Sequence, residues 1–362
     1  MTFSDNMARE KLHRQILISL KFALQYILCV LFRDLPRMIA LKRKSITDQV
    51  VAITGGASGI GKGLAQKIAL EHNAIVCILD INQVVFYSII HLNYGNLLIS
   101  FVIKNFFSQE EGVRTVSQII ESGGRAYFFL CNVAKSDEVK LCAQQIFSNT
   151  KIGCIDILVC NASILRIGKF LDLDDKDYQD TMNVNILGYI YTMRAFLPHM
   201  MDRNHGQIVA IGSICSHYGD YLGTAYCTAK FAIRGLMETL QMELYEEKKN
   251  GVVLTTIYPY FVDTALIANN MTEPFSTFYD VIPLDKCVEE VLDAILKERM
   301  YYFIPQSLAF LCNAAKWFKT FAVNNHFSYT TKYSMPYVRR LINCRYKTLN
   351  KRGDNEIQTN MK

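Results

Sequence analysis

From Gln49 to about residue 305 the chain alternates short, β-branched apolar runs with longer stretches of helical periodicity. Seven runs stand out as strands: Val50 to Thr54, Ile75 to Asp80, Ala126 to Cys131, Ile155 to Cys160, Gln207 to Gly212, Val252 to Tyr258 and Tyr301 to Pro305. Each is apolar almost throughout instead of at every second residue, the pattern of a strand covered on both faces. Seven such strands with helices between them predict an α/β fold built on one doubly wound parallel sheet.

Three segments depart from this rhythm. Residues 16–32 form a 17-residue apolar run broken only by Lys21, with Arg9, Lys11 and Arg14 before it and Arg33, Arg37, Lys42, Arg43 and Lys44 after it. That length is near the lower limit for crossing a bilayer, so the run reads as a spanning or surface-lying anchor helix, ahead of an ordinary core helix. No small-residue cleavage site follows, which disfavours a removed signal peptide. Residues 306–323 have the pattern of a second, amphipathic helix. The third segment, Val84 to Ser108, places 25 residues with a single charge between a strand end and the next helix, where two to six residues normally suffice. A membrane span there would put strands of one sheet on opposite sides of a bilayer. A lipid-dipping excursion is one reading. The excess of Phe, Ile, Asn and Leu favours another, retained intron sequence. The expected organisation is an anchoring segment at 1–44, a catalytic domain at 45–305 and a helical, basic extension at 306–362.

Composition sharpens this picture. Hydrophobic residues make up 51 % of the 362 and charged residues 20 %, which excludes a disordered chain. The net charge of +6 is unevenly spread: residues 1–44 hold nine Lys/Arg against three Asp/Glu, residues 332–362 hold eight against two, and the remainder is acidic. A nucleic-acid binder carries its basic stripe on the folded body, so that class is disfavoured. Basic tails beside apolar runs suit anionic lipid head groups. The eleven cysteines show no CxxC or Cys/His ligand spacing, so neither a disulfide framework nor a metal site is expected. Cys77, Cys131 and Cys160 sit inside apolar runs as small buried hydrophobes of a reducing compartment.

Two clusters carry chemistry. The first strand runs into Thr54-Gly55-Gly56-Ala57-Ser58-Gly59-Ile60-Gly61 and then a helix. Glycines at 55, 59 and 61 let the backbone turn sharply and approach a pyrophosphate, and the helix start offers unpaired N–H groups. Asp80, at the end of the second strand, would accept from an adenosine ribose and repel a 2′-phosphate, so NAD(H) is expected over NADP(H). In the second cluster, Tyr226 and Lys230 stand four residues apart on one helix face. A fixed ammonium beside the phenol is expected to bring its pKa towards the working range of an acid/base group. Ser213, at the end of the fifth strand, can hold the reacting oxygen.

In order and spacing these residues resemble the short-chain dehydrogenase/reductase family, across essentially all of residues 47–305. The pattern comprises TGGASGIG at 54–61, Cys-Asn-Val at 131–133, CNAS at 160–163, the MNVN that ends at Asn185, Ser213, the Tyr226/Lys230 pair and PYFVDT at 259–264. The resemblance implies a Rossmann-type sheet and a catalytic tetrad of Asn185, Ser213, Tyr226 and Lys230. In it Tyr226 exchanges the substrate proton, Ser213 positions the carbonyl or alcohol, Lys230 also holds the nicotinamide ribose and Asn185 orders a relay water. It also implies cofactor contacts from Gly55, Ser58, Gly59, Ile60, Gly61, Asp80, Asn132, Val133, Asn161, Ala162, Pro259, Val262 and Thr264. The sequence departs from the family at Asn132, usually Asp, at Cys160 and Ser163 of the CNAS motif, and at Tyr260, usually Gly. The apolar N-terminal run, the LKRKS before the first strand and the late MYYFIP are similar to the membrane-associated retinol and 17-β-hydroxysteroid dehydrogenases. That likeness implies a retinoid, steroid or fatty alcohol as substrate. It also implies a homodimer, and residence on the endoplasmic reticulum membrane or lipid droplets with the catalytic domain facing the cytosol. The competing class is a lipid-surface scaffold or redox sensor that keeps the fold, its cofactor site spoiled by the insertion beside Asp80.

Overall fold

The computed structural model describes residues 3–29, 31–32, 41–81, 86–94, 97–105, 111–220, 222–268, 272–275, 280–310, 312 and 345–347. They belong to two compact units, Met1–Lys44 and Ser45–Lys362. The first contains one long helix, α1 (Phe3–Cys29). Leu17, Ile18, Leu20 and Leu24 of this helix are all more than half exposed. Among the described residues no helix is long and apolar enough to cross a membrane: the apolar run of α1 is short, and Lys21 interrupts it.

In the second unit β1 (Val50–Thr54) leads through a tight loop into α2 (Gly59–Glu71) and then β2 (Ile75–Asp80). A hairpin of β3 (Phe86–Tyr94) and β4 (Leu97–Asn105) follows, then α3 (Glu111–Glu121), β5 (Arg125–Leu130), α4 (Ser136–Ser148) and β6 (Ile157–Cys160). Next come α5 (Asp175–Met182), a π-helical turn at Asn183–Leu187, α6 (Gly188–Arg203), β7 (Gly206–Ile211) and a 3₁₀ turn at Ile214–Ser216. The rest is α7 (Thr224–Glu246), β8 (Val252–Pro259), α8 (Ala265–Ala268), β9 (Thr272–Phe275), α9 (Leu284–Leu296), β10 (Tyr301–Ile304) and β11 (Arg345–Lys347).

The seven expected strands form one parallel sheet in the order β10-β8-β7-β6-β1-β2-β5. Their unbroken hydrophobicity has the physical reason anticipated. Val51, Ile53, Val76, Ile78, Val209 and Ile211 face one core layer, filled by Leu64 and Ile68 of α2 and Val288 and Val291 of α9. Their chain neighbours Val50, Ala52, Cys77, Leu79, Ile208 and Ala210 face the other, filled from α4, α6 and α7 by Val139, Phe196 and Ile233. The strand order reverses at β1, which lies between β2 and β6. At such a reversal the carboxyl ends of neighbouring strands open a crevice.

The segment from Val84 contains an antiparallel hairpin, in register from Phe86 with Asn105 to Tyr94 with Leu97. The two strands make a sheet of their own and join neither of the others. The helical extension expected at the C-terminus needs correction where it is described. Residues 307–310 are helical, but Arg345–Lys347 is a strand, paired antiparallel with β9. Residues 313–344 and 348–362 lie outside the described residues.

Candidate active site

The glycine loop fills one side of the crevice. Gly55 and Gly59 have φ of +65° and +52°, which an L side chain rarely adopts. A Cβ on Gly61 would stand 2.2 Å from the Gly55 carbonyl oxygen, and one on Gly55 would stand 2.8 Å from the Ala162 Cα. These two glycines therefore allow the loop to fold on itself and against the residues after β6. At Gly59 a Cβ would meet only the Thr264 side chain, at 3.6 Å, so that surface is open. The Ser58 side chain makes no capping hydrogen bond at the start of α2, which leaves the first turn's N–H groups for an anion. Ile60 packs against the first core layer.

Around the loop, Asp80 Oδ2 accepts from the Ala57 N–H at 2.9 Å. The insertion does not displace it, because β2 keeps its register with β5 to the pair Asp80–Leu130. Asn161 braces the loop from the opposite strand: its Nδ2 donates to the Thr54 and Gly55 carbonyls, both at 3.0 Å. The backbone N–H of Ala162 donates to Thr54 Oγ1 at 3.2 Å. Asn161 thus positions the loop. The Asn132 Oδ1 accepts from the Ala134 N–H at 3.0 Å, and Val133 is buried against the Gly188 backbone. Pro259 ends β8, Val262 is buried, and Thr264 donates to the Val262 carbonyl at 3.2 Å beside Gly59. The loop after β8 and the glycine loop therefore meet.

The second cluster lies where β7 and α7 converge. Ser213 and Tyr226 line one cleft, with Leu165, Ile167, Tyr260, Phe261 and Ile267 as its apolar wall. Below them Lys230 is buried, its Nζ donating to the Ile211 carbonyl at 3.0 Å and standing 5.4 Å from the Tyr226 ring centre. Tyr189 also donates to the Ile211 carbonyl, at 2.9 Å. The sequence reading missed Tyr189, whose only signal was its place one helical turn after Asn185. The Asn185 Oδ1 accepts from the Ile164 N–H and its Nδ2 donates to the Ile164 carbonyl, both at 2.8 Å. Its side chain therefore ties the π-helical turn to the strap after β6.

The electrostatics of the Tyr226/Lys230 pair differ from the expected lowering of the phenol pKa. Burial pushes the Tyr226 phenol well above its ordinary value, Cys215 raises it further, and a hydrogen bond from Ser213 only partly opposes this. Lys230 is brought down to about 7, again by burial. Desolvation is the largest cause at both groups.

The family profile described as short chain dehydrogenase matches residues 101–274. Estradiol 17-beta-dehydrogenase 11 of Pongo abelii is 30 % identical over 285 residues, 79 % of this chain and 84 % of that protein. The chain belongs to the short-chain dehydrogenase/reductase family. It is an oxidoreductase acting on CH–OH groups. Epidermal retinol dehydrogenase 2 of Homo sapiens is 28 % identical, over 78 % of this chain and 81 % of that one. Among solved structures, a short-chain dehydrogenase from Burkholderia phymatum in complex with NAD shares the fold. Its TM-score is 0.61 at 18 % identity, over 74 % of this chain and 93 % of that one. Other solved chains of the same fold are complexes with NADP.

Within this dehydrogenase the departures from family pattern acquire a place. Asn132 spends its amide oxygen on the turn to Ala134. Cys160 is fully buried in the second core layer. Tyr260 is 5 % exposed and packs edge to face on Phe261, their ring centres 4.9 Å apart. The cleft therefore has an aromatic wall beside the two hydroxyls.

Proposed function

We propose that this dehydrogenase interconverts a lipophilic alcohol and its aldehyde or ketone with NAD(H). The observation that carries the reading is the convergence of Ser213 and Tyr226 on one apolar cleft with Lys230 buried beneath them. The open face at Gly59, the uncapped start of α2 and the carboxylate of Asp80 fit a dinucleotide. The loop at 55–61 would hold its phosphates, Asp80 the adenosine ribose, Asn132 and Val133 the adenine side, and Pro259, Val262 and Thr264 the nicotinamide side. When bound, the dinucleotide supplies a hydride acceptor or donor. Ser213 Oγ holds the substrate oxygen, and Tyr226 takes the alcohol proton or returns it to the carbonyl oxygen. Lys230 would stabilise the phenolate that forms in the first case and hold the ribose. Asn185 acts as a positioning residue through Ile164.

Asp80 supports NAD over NADP, because a 2′-phosphate would meet its charge at the end of β2. The fold alone does not choose, since solved relatives carry either. A lipophilic substrate is supported by the aliphatic and aromatic wall of the cleft and by the retinol and estradiol named in its relatives. The exposed apolar residues of α1 and the basic flanks support a surface-lying anchor on a membrane or lipid droplet, with the catalytic unit on the cytosolic side. Endoplasmic reticulum residence and a homodimer through residues 176–203 and 225–247 complete the reading by family likeness. NADH fluorescence on mixing the protein with NAD and a panel of retinoid, steroid and long-chain alcohols tests it. Turnover with at least one is expected; none with any of them, or turnover only with NADP, contradicts it.

A further inference from the structure

One hydroxyl beside the glycine loop has no use in the chemistry proposed above. Ser163 lies on the strap after β6 and is half-buried, yet its Oγ is closed off from solvent and meets no hydrogen-bond partner among the described residues. The groups around it are already engaged. Asn161 Nδ2 donates to the Thr54 and Gly55 carbonyls, the Ala162 N–H donates to Thr54 Oγ1, and Asn185 holds both the N–H and the carbonyl of Ile164. The backbone on either side of Ser163 is therefore fixed, and a hydroxyl left without a partner there is unfavourable. The Tyr258 hydroxyl is also unpartnered, but it lies in the first core layer, packed on His217 and Phe303. Ser163 is placed otherwise. The residue before it is so close to the glycine loop that a Cβ on Gly55 would stand 2.8 Å from the Ala162 Cα, and Leu165, two residues on, lines the cleft with Ser213 and Tyr226.

We propose that Ser163 is a cofactor-binding residue, whose hydroxyl hydrogen-bonds the nicotinamide ribose of the dinucleotide. The proposal rests on the reading of this crevice as a dinucleotide site. A dinucleotide with its pyrophosphate on residues 55–61 and its reacting ring at Tyr226 must pass the strap between Ala162 and Leu165, and the part that passes is the ribose carrying the nicotinamide. Ribose hydroxyls both donate and accept, as the serine does. The residue itself is partly exposed, so a step of about 120° about χ1, from one staggered position to the next, turns the oxygen to the open side. No backbone movement is needed, which suits a strap pinned at 161, 162 and 164. Lys230, the other residue assigned to that sugar, comes from α7, so two separate elements would hold the ribose.

The test is equilibrium binding to the full chain, read by calorimetry without turnover. Two ligands are compared: NAD, and ADP, which keeps the adenosine and the pyrophosphate but lacks the nicotinamide ribose. In Ser163→Ala the Kd for NAD should rise about 3- to 10-fold, the range expected for one net hydrogen bond, while ADP binds as before. Ser163→Gly, which has no methyl to crowd the strap, should weaken NAD at least as much. Unchanged NAD affinity in Ser163→Ala, or an equal loss for NAD and ADP, overturns the proposal. So does full NAD affinity in Ser163→Gly, since the loss would then come from the alanine methyl and not from the missing hydroxyl. An unmodified protein that binds neither ligand would instead count against the dinucleotide reading itself.

Discussion

Lys230 is an amine held where water is scarce, and the cost of charging it there is readable in pH. In the fold it titrates at about 7, against 10.5 for the unperturbed side chain. Between those values the unfolded chain binds more protons, so stability is greatest above the unfolded pKa and is lost as pH falls towards 7. Urea unfolding from about pH 6.5 to about pH 9 should show stability rising with pH, and Lys230→Met should flatten that slope. An unchanged slope in the variant would place the proton elsewhere. Gly61 sets a different limit at the same scale. A methyl there meets a backbone oxygen that cannot move aside, so Gly61→Ala should lose about 1–3 kcal/mol in denaturant unfolding. Tyr260 bears on specificity. Replacing it with Gly removes part of the aromatic wall, and should raise the kcat/KM of a bulky secondary alcohol relative to a slim primary one. Equal ratios in the two proteins would remove Tyr260 from substrate choice.

The seven sheet strands were legible in the chain because a strand buried on both faces leaves an unbroken apolar run. Their ends moved by only one or two residues, as at Gly206–Ile211. The glycine loop and the Tyr226/Lys230 spacing were legible because each chemistry demands fixed residue types at fixed intervals. The apolar cleft wall and the clamp of Asn185 on Ile164 were not. They arise from loops that meet only when the sheet closes, with no periodicity to announce them. Tyr226 shows the same limit in its electrostatics: the pair spacing suggested an activated phenol, yet burial, a property of the whole fold, decides the direction of the shift. The hairpin at β3 and β4 pairs only with itself, and Asp80 before it keeps its place. We propose that residues 84–108 are retained intron sequence, on the strength of their composition. The mature transcript should lack the codons for 84–108; reads that cross them without a gap contradict this.

At the scale of the molecule, charge is divided between basic tails and an acidic body. Residues 1–44 combine exposed leucines and isoleucines with a net positive charge, and each basic residue near an anionic surface contributes about 1 kcal/mol of attraction. Sedimentation with phosphatidylserine vesicles should carry down the full chain and leave most of a chain lacking residues 1–44 in solution. Salt should weaken that binding. The whole account rests on the phenol at the cleft. Its most direct test is NADH formation by Tyr226→Phe with an alcohol that the unmodified protein turns over, alongside an NAD titration. Turnover should fall by roughly 10³-fold or more while the NAD affinity stays within about twofold; undiminished turnover in a folded Tyr226→Phe protein would contradict the assignment of the reaction to this site.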